Sequence, residues 1–265
     1  RIQQRSYLQK GVFLISAELK ELLSSSETVD VYKTDHNMVV KLFKEHMPKT
    51  AALYEALTHS RVEVTGLPVP VIHEVSVIDG RWAITMDLIQ GKTLAEIMKE
   101  DPANTDSYLE QMLDIQLTIH SKNVPKLSKL KDKLARQINA LDEIDDIKKF
   151  ELLSRLYSMP KHTKLCHGNF TPENIIINEN GTYILDWVAA RQGNASADVA
   201  RTYLLFALNS PESADQYMAM FCKKTGTSKK YVQEWLPIVA AAQLTENKES
   251  ERELLMKWID VVAYE

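Results

Sequence analysis

The order of the hydrophobic patterns along the chain constrains its fold more than any other feature. Up to residue 90, short runs rich in β-branched and aromatic residues, such as VDVYKT and NMVVKLF, alternate with turn residues and predict strands. From Gly91 onward, apolar residues recur mostly at helical spacing. We therefore predict an α+β fold with a small β-rich N-terminal lobe, residues 1–90, and a larger helical C-terminal lobe, residues 91–265. Small-molecule sites are common in the cleft between two such lobes.

The N-terminal lobe is predicted to contain two strand pairs and one helix. The strand pairs are each closed by a short turn, and Asp79-Gly80 is the stronger of the two turn signals. Residues 48–66 are predicted to form the helix, with Thr50 as its cap. Residues 1–23 combine a short strand-like run with a helical tail.

The C-terminal lobe is predicted to be helical apart from one hairpin. The hairpin signal is the sequence IIINENGTYILDW, which begins at Ile175. The predicted helices cover residues 93–100, 106–122, 129–157, 196–208, 212–225, 228–245 and 249–264.

The hairpin is predicted to bring Asn174 and Asp186 close together. Asn180-Gly181 is a typical turn sequence between two apolar runs. With a three-residue loop Asn174 lies opposite Asp186, and with a two-residue turn the register moves by one and the two residues become near neighbours. An amide and a carboxylate so placed offer the oxygen ligands that Mg²⁺ prefers.

The loop before the hairpin has the spacing of a phosphoryl-transfer site. His167, Gly168 and Asn169 are followed five residues later by Asn174, and the hairpin then leads to Asp186 and Trp187. Each residue alone also has a structural explanation, because HGN favours turns and Asp186 could cap a turn after its strand. The combination favours the functional interpretation.

Charge and composition exclude several other classes of protein. The 32 Lys and Arg residues nearly balance the 36 Asp and Glu residues, so no broad basic field favours nucleic acid as a partner. The basic cluster within residues 122–133 is interpreted as a solvated helix face. The two cysteines have no metal-ligand spacing and indicate a reducing, cytoplasmic location. No apolar run reaches the length of roughly 18 residues that a membrane span requires, and the first residues lack a signal-peptide pattern.

The sequence resembles the aminoglycoside phosphotransferase and choline kinase superfamily, which shares the two-lobed protein-kinase-like fold. The resemblance is carried by HGNFTPEN, ILDW and SADVARTYLL in the C-terminal lobe, and by VVKLF, the helix with Glu55, and GLPVP in the N-terminal lobe. It implies an enzyme that transfers the γ-phosphate of ATP, or of GTP, to a hydroxyl group of a small molecule with the help of Mg²⁺.

The resemblance also implies roles for residues of the N-terminal lobe. Lys41 would bind the nucleotide phosphates, and Glu55 would be its ion-pair partner. Strand alternation places Lys41 on the same face as Val39 and Phe43, where an anion would stabilise its ammonium, although a lysine that protects a strand edge is an alternative. The segment 86–91 would be the hinge that contacts adenine, and it could equally be an ordinary linker. Within this hinge, Met86, Asp87 and Leu88 would be the residues that bind the nucleotide.

In the C-terminal lobe, Asn174 and Asp186 correspond to the metal ligands of the family. His167 resembles a residue that braces the loop. Asp198 resembles the helix-borne Asp that hydrogen-bonds to the catalytic loop, and a simple helix N-terminal charge is the alternative.

The chain departs from the family pattern at two places. Asn169 stands where the motif H-G-D has its catalytic Asp. The phosphate-covering loop within residues 24–32 has no glycine, so Ser26 and Thr28 would present amides and hydroxyls to phosphate. Asn169 has three explanations: a change introduced into a parent enzyme with Asp, a naturally slow kinase or one with another base, or a nucleotide-binding pseudokinase with a regulatory role.

The sequence leaves the acceptor and the oligomeric state open. A polycationic acceptor would require an acidic pocket, for which Asp114, Glu143, Asp145, Asp146, Glu234 and Glu246 are candidates. A choline-like acceptor would require an aromatic cage, for which the candidates are Trp187, Tyr203, Trp235 and Trp258.

Overall fold

The computed structural model describes residues 18–260 and divides them into two compact units. Residues 18–52 and 73–88 form the first unit, and residues 53–72 and 89–260 form the second. The first unit is built on an antiparallel sheet and the second is mainly helical, so the predicted α+β class is confirmed.

The first unit contains a five-stranded sheet with the strand order β1-β2-β3-β5-β4. Val40, Leu42 and Ala83 are buried on one of its faces. Asp79 and Gly80 both have positive φ, as a two-residue hairpin turn of type I′ requires, which confirms this predicted turn. The strands are β1 (Leu19–Ser25), β2 (Val29–Thr34), β3 (Met38–Phe43), β4 (Ile72–Ile78) and β5 (Arg81–Asp87).

Two predictions for the N-terminal part were wrong in detail. The predicted helical tail before residue 24 is strand β1, which pairs with β2 through two register shifts; residues 1–17 lie outside the described part of the chain. Pairing with a neighbouring strand outweighs the helical propensity of this segment. The helix α1 spans Lys49–Glu63, so Thr50 lies inside its first turn and is not its cap.

The second unit contains nine further helices and five short strands among its described residues. The helices are α2 (Leu94–Glu100), α3 (Thr105–His120), α4 (Leu130–Asn139), α5 (Asp146–Ser158), α6 (Ala195–Asn209), α7 (Pro211–Thr225), α8 (Lys229–Gln233), α9 (Leu236–Leu244) and α10 (Glu249–Ile259). The strands are β6 (Lys92–Thr93), β7 (Lys164–Cys166), β8 (Ile175–Asn178), β9 (Gly181–Ile184) and β10 (Arg191–Gly193). They form two small sheets, β6-β8-β9 and β10-β7.

Two segments predicted as single helices are each divided into two. Asp145 caps α5 by accepting a hydrogen bond from the backbone N–H of Lys148 at 2.7 Å, which separates α5 from α4. Pro237 lies in the first turn of α9, where its missing N–H costs nothing, and this favours a new helix start after α8.

The core of the second unit consists of two buried apolar clusters. One packs α4, α6 and α9 together around the fully buried Trp235 and Tyr217. The other surrounds the hairpin and includes Phe170, Ile184 and Trp187. Both clusters hold the loop between β7 and β8, because Cys166 belongs to the first and Phe170 to the second.

No helix within residues 18–260 is both long enough and apolar enough to cross a bilayer. Cys166 and Cys222 are free thiols, and burial raises the pKa of both.

Candidate functional site

The hairpin β8–β9 has the register of a two-residue turn. Asn178 is opposite Gly181, so the turn residues are Glu179 and Asn180, and the predicted turn at Asn180-Gly181 was one residue too far along. The same register places Asn174 opposite Leu185, whose backbone N–H donates a hydrogen bond to the Asn174 carbonyl at 2.8 Å. Of the two registers that the sequence allowed, this is the second.

Asn169, Asn174 and Asp186 are linked by two hydrogen bonds. The Nδ2 group of Asn169 donates to Oδ2 of Asp186 at 3.0 Å. The Nδ2 group of Asn174 donates to the backbone carbonyl of Asn169 at 2.9 Å. The structure thus brings the three residues together within the second unit.

Asp186 has an unusual backbone conformation. Its φ and ψ are 60° and 64°, in the left-handed region that few residues other than glycine adopt. It lies between β9 and the short 3₁₀ turn Trp187–Ala189. Aspartate tolerates this conformation better than most residues, and such strained positions are frequent at functional sites.

His167 braces the loop through both of its ring nitrogens. Its Nδ1 accepts a hydrogen bond from the backbone N–H of Asn169 at 3.2 Å, so its Nε2 carries the proton and donates to the carbonyl of Leu185 at 2.9 Å. Complete burial lowers the pKa of His167, which keeps the ring in the neutral form that this arrangement requires.

Asp198 anchors the same loop from α6. Its carboxylate accepts the backbone N–H groups of His167 at 3.1 Å and Gly168 at 2.7 Å. It also accepts Nε2 of His120 at 2.9 Å and Nε2 of Gln116 at 3.3 Å. Burial alone would raise the pKa of Asp198, but the hydrogen bonds and the nearby histidines outweigh it and lower the pKa. The carboxylate therefore stays ionised and fixes the loop.

Gly168 is required by its backbone conformation and by its surroundings. Its φ is +80°, and a Cβ atom built on it would lie 2.7 Å from the carbonyl oxygen of Ala189. Gly226 provides a matched comparison, because its φ is +70° and such a Cβ would have nothing within 4 Å. We expect Gly168→Ala to lower the free energy of unfolding by roughly 1–3 kcal/mol more than Gly226→Ala does, since only the first change forces backbone atoms apart. Denaturant unfolding of the two variants measures this difference, and equal losses would contradict it.

Ser26 and Thr28 lie in the turn between β1 and β2. The hydroxyl of Ser26 accepts the backbone N–H groups of Thr28 at 3.3 Å and Val29 at 3.1 Å. The backbone N–H of Ser26 donates to the carbonyl of Val29 at 2.9 Å. The backbone N–H groups of Ser26 and Thr28 are therefore satisfied within the turn itself.

The base of this turn is held by a cluster of charges around Asp30. Its carboxylate accepts hydrogen bonds from Lys44 Nζ and Ser25 Oγ, both at 2.6 Å, and from Arg81 Nη2 at 2.7 Å. The hydrogen bonds from these groups, that of Lys44 first, hold the pKa of Asp30 far below its usual value. The cluster joins the first three strands to β5.

The other predicted nucleotide-binding residues have these positions. Lys41 lies on β3, opposite Val31 and Ile84, and is partly buried. Met86 is buried near the end of β5, where Asp87 is the last residue, followed by Leu88. The Asp87 carboxylate lies 2.7 Å from Nε2 of His73. Glu55 is buried on α1 in the second unit.

The chemistry of the donor set fits a magnesium ion. Within residues 18–260, no group of three or more His, Cys, Asp or Glu side chains could hold a metal ion. Mg²⁺ needs fewer protein ligands than that, because it keeps several waters and binds substrate phosphates. The Nδ2 group of Asn174 donates to Asn169, which fixes the amide so that its Oδ1 faces away from that carbonyl as an acceptor. Asn174 and the Asp186 carboxylate thus offer the hard oxygen ligands that this ion prefers.

Comparison with known proteins identifies the family. The model of the phosphotransferase enzyme family, APH, matches residues 19–235. The chain belongs to this family. Membership confirms the predicted relationship and supports a phosphotransferase function. A sequence search of curated proteins gave no match.

Solved structures with the same fold include kinases of two kinds. A thermostable mutant of the aminoglycoside phosphotransferase APH(4)-Ia, in complex with ADP and hygromycin B, has a TM-score of 0.66 at 13% identity, over 90% of this chain and 89% of that one. The GDP and kanamycin complex of APH(2")-IIia has a TM-score of 0.60 at 17% identity, over 93% and 92% of the two chains. The choline kinase LicA from Streptococcus pneumoniae has a TM-score of 0.60 at 16% identity, over 89% and 86%. These likenesses confirm the protein-kinase-like fold of this phosphotransferase family member.

Sequence reasoning missed two residues of the loop anchor in this phosphotransferase family member. Gln116 and His120 are one turn apart on α3 and are both buried among apolar residues of that helix. Two polar residues at this spacing on an otherwise apolar face were the available signal, because buried polar groups require partners. Their partner Asp198 lies about 80 positions further along the chain.

Proposed function

We propose that the chain transfers the γ-phosphate of ATP, or of GTP, to a hydroxyl group of a small molecule, at a rate limited by Asn169. The observation that carries this proposal is the linked arrangement of Asn169, Asn174 and Asp186 on a loop fixed by Asp198, in a member of a phosphotransferase family. Neighbouring structures with ADP or GDP support a nucleotide as the donor.

Asn174 and Asp186 would hold Mg²⁺, which neutralises the charge of the phosphates when bound. Lys41 would bind the nucleotide phosphates with Glu55 as its ion partner. Ser26 and Thr28 would cover the phosphates, and the backbone of residues 86–88 would contact the base. These roles come from the resemblance to the family.

Asn169 would orient the acceptor without accepting its proton. Its Nδ2 group donates to Asp186, which leaves its Oδ1 as the acceptor for the hydrogen of the substrate hydroxyl. An amide oxygen does not take up that proton, so the contribution of a general base, about 10²- to 10⁴-fold in rate, is lost. Orientation and charge neutralisation by the remaining residues are retained.

A second candidate function is a nucleotide-binding pseudokinase with a regulatory role. The closed turn at Ser26 favours it, because the hydroxyl that could donate to phosphate already donates to the carbonyl of Val29 at 3.1 Å. The hydrogen bond from Asn169 to Asp186 favours it too, because a metal ion and this amide compete for the same carboxylate.

Turnover and binding assays on the same preparations distinguish the two functions. We expect ADP or GDP with Mg²⁺ to raise the melting temperature, and at least one acceptor from a panel of hydroxylated metabolites and antibiotics to be phosphorylated slowly. Asp186→Asn is the matched control, because Asn also tolerates the left-handed conformation but removes the charge. Nucleotide binding without turnover by the chain and by Asn169→Asp would establish the pseudokinase. Failure of both nucleotides to bind would refute both functions.

A further inference from the structure

A cavity in the second unit adjoins the loop that contains Asn169. Gly168, which precedes Asn169, forms part of its wall, together with Ala197 and Asp198 at the start of α6. The other lining residues lie on α4, α6 and α9 and in the segment that follows α9. The polar residues that complete the lining are Lys133, Gln137, Arg201 and Glu246.

Most charges in this cavity are already paired. Arg201 donates to Glu246 at 3.1 Å and to Gln243, and Glu246 also pairs with Lys248 at 3.2 Å. Burial alone would raise the pKa of Glu246, but attraction to Arg201 and Lys248 lowers it, so this residue remains a carboxylate. The Asp198 carboxylate is occupied by the loop amides and by His120.

Lys133 is the exception. It is one of the basic residues that the sequence placed on a solvated helix face, yet it is partly buried and lines the cavity. Within the described part of the chain it forms no ion pair with a carboxylate. Burial first, and then repulsion from Arg191 and Arg201, lower the pKa of Lys133 to about 8, although Glu246 and Asp198 oppose the shift. An ammonium in such a place is stabilised by an added anion.

Gln137 lies one helical turn after Lys133 and also lines the cavity. Its Nε2 group donates to the carbonyl of Ala242 at 3.2 Å and to the hydroxyl of Thr245 at 3.1 Å, which fixes the orientation of the amide. Its Oε1 is buried without a hydrogen-bond donor in the described structure. A hydroxyl group in the cavity would supply that donor.

We propose that this cavity, about 40 Å³ in volume and so large enough for a single carboxylate or phosphate group, binds that group of the phosphoryl acceptor, a small hydroxylated carboxylate or phosphate ester, while the rest of the acceptor extends out of it. Lys133 would contact the anion, and Gln137 Oε1 would accept an adjacent hydroxyl. The inference rests on the proposed phosphotransferase function and specifies the class of its acceptor. Because Gly168 is part of the wall, this ligand would lie beside the loop in which the next residue, Asn169, is proposed to orient the reacting hydroxyl.

A cationic acceptor fits these residues less well. Of the acidic side chains that could surround a polycation, Asp114 pairs with Lys224 at 2.5 Å, Glu143 with Arg252 at 3.5 Å, and Asp145 caps α5. Of the aromatic residues that could cage a quaternary ammonium, Trp187 and Trp235 are buried in the two cores. The unpaired charge in the cavity is positive.

The proposal is tested with sugars that differ in charge. Glucuronate and glucose 6-phosphate are the anions, glucose is neutral, and glucosamine is a cation. Isothermal titration measures the affinities of glucuronate, glucose 6-phosphate, glucose and glucosamine, and of ADP with Mg²⁺, for the chain and two variants. Lys133→Met removes the proposed anion contact. Lys223→Met removes an exposed helical lysine that forms no ion pair in the described structure, and is the matched control.

We expect at least one of the two anions to bind about tenfold or more tightly than glucose and glucosamine, as a charge-assisted hydrogen bond provides. Lys133→Met should remove that preference and leave the ADP affinity unchanged, and Lys223→Met should change neither. The proposal is overturned if glucosamine binds as tightly as the anions, if neither anion binds to a chain that binds ADP, or if Lys133→Met keeps the preference. Failure of the unaltered chain to bind either ADP or GDP would instead refute the proposed phosphotransferase function.

Discussion

Replacing Asn169 by Asp is expected to raise the rate of phosphoryl transfer by about 10²- to 10⁴-fold, the range that general-base assistance contributes. The substitution changes one amide into a carboxylate of the same shape, and the loop around it is held by His167 and Asp198 independently of the residue 169 side chain. The measurement is the single-turnover rate with saturating nucleotide, Mg²⁺ and an acceptor identified from the panel.

The same substitution should also make the protein more dependent on a cation. Asn169 Nδ2 lies 3.0 Å from Asp186 Oδ2, so Asp at position 169 would place two carboxylates side by side. Their repulsion favours a bound metal ion between or beside them and raises the pKa of one carboxyl when no ion is present. We expect Mg²⁺ to raise the melting temperature of Asn169→Asp more than that of the unaltered chain. Asn169→Ala, which supplies neither a base nor a repelling charge, is the control for both effects, and an unchanged rate in Asn169→Asp would contradict the role assigned to position 169.

Replacing Asp198 by Ala is expected to lower the free energy of unfolding by about 3–5 kcal/mol, the usual cost of removing one partner from a buried charged network. Four donors lose their acceptor: the two loop amides, the His120 ring and the Gln116 side chain. Denaturant unfolding at neutral pH measures the loss. Because the pKa of Asp198 is lowered in the folded state, its contribution should be fully present above about pH 4, near the pKa of an unperturbed Asp, and should fade as the pH falls further.

Asp106 is the matched control for this experiment. It lies in the first turn of α3, as Asp198 lies in the first turn of α6, but it is exposed to solvent. A carboxylate that only complements a helix N-terminus contributes about 0.3–1 kcal/mol. If Asp198→Ala and Asp106→Ala cost the same, Asp198 would be a helix N-terminal charge and no anchor of the loop.

The elements that could be predicted from the sequence are those that depend on neighbouring residues. The Asp79-Gly80 turn and the hairpin β8–β9 are specified by residues within a few positions of each other, and both form. The hairpin turn was placed one residue too late, because Asn-Gly was assigned to the turn centre whereas Gly181 begins β9. Strand β1 was missed because its residues have a helical pattern, whereas pairing with β2 makes them a strand. The local sequence does not encode that pairing.

In the candidate site, too, only the residues that are close in sequence could be predicted. Asn169, Asn174 and Asp186 lie within 18 positions of one another, so one loop and one hairpin bring them together and their spacing was informative. The anchor of that loop and the cavity beside it join α3, α4, α6 and α9, whose packing is set by apolar contacts between distant segments. Lys133 and Gln137 could not be distinguished from surface residues, since their surroundings are enclosed by Gly168, α6, α9 and the segment after α9, which are all distant in sequence.

Binding of Mn²⁺, which replaces Mg²⁺ and is detected by electron paramagnetic resonance, tests the central claim most directly: that Asn174 and Asp186 bind a metal ion together with the nucleotide. Titration in the presence of ADP should show one bound Mn²⁺, with an affinity reduced about tenfold or more in Asp186→Asn, the size of effect seen when metal sites are perturbed. Glu179→Gln removes a carboxylate from the turn of the same hairpin and should leave the affinity unchanged. An Asp186→Asn chain that binds Mn²⁺ and ADP as tightly as the unaltered chain would contradict the account.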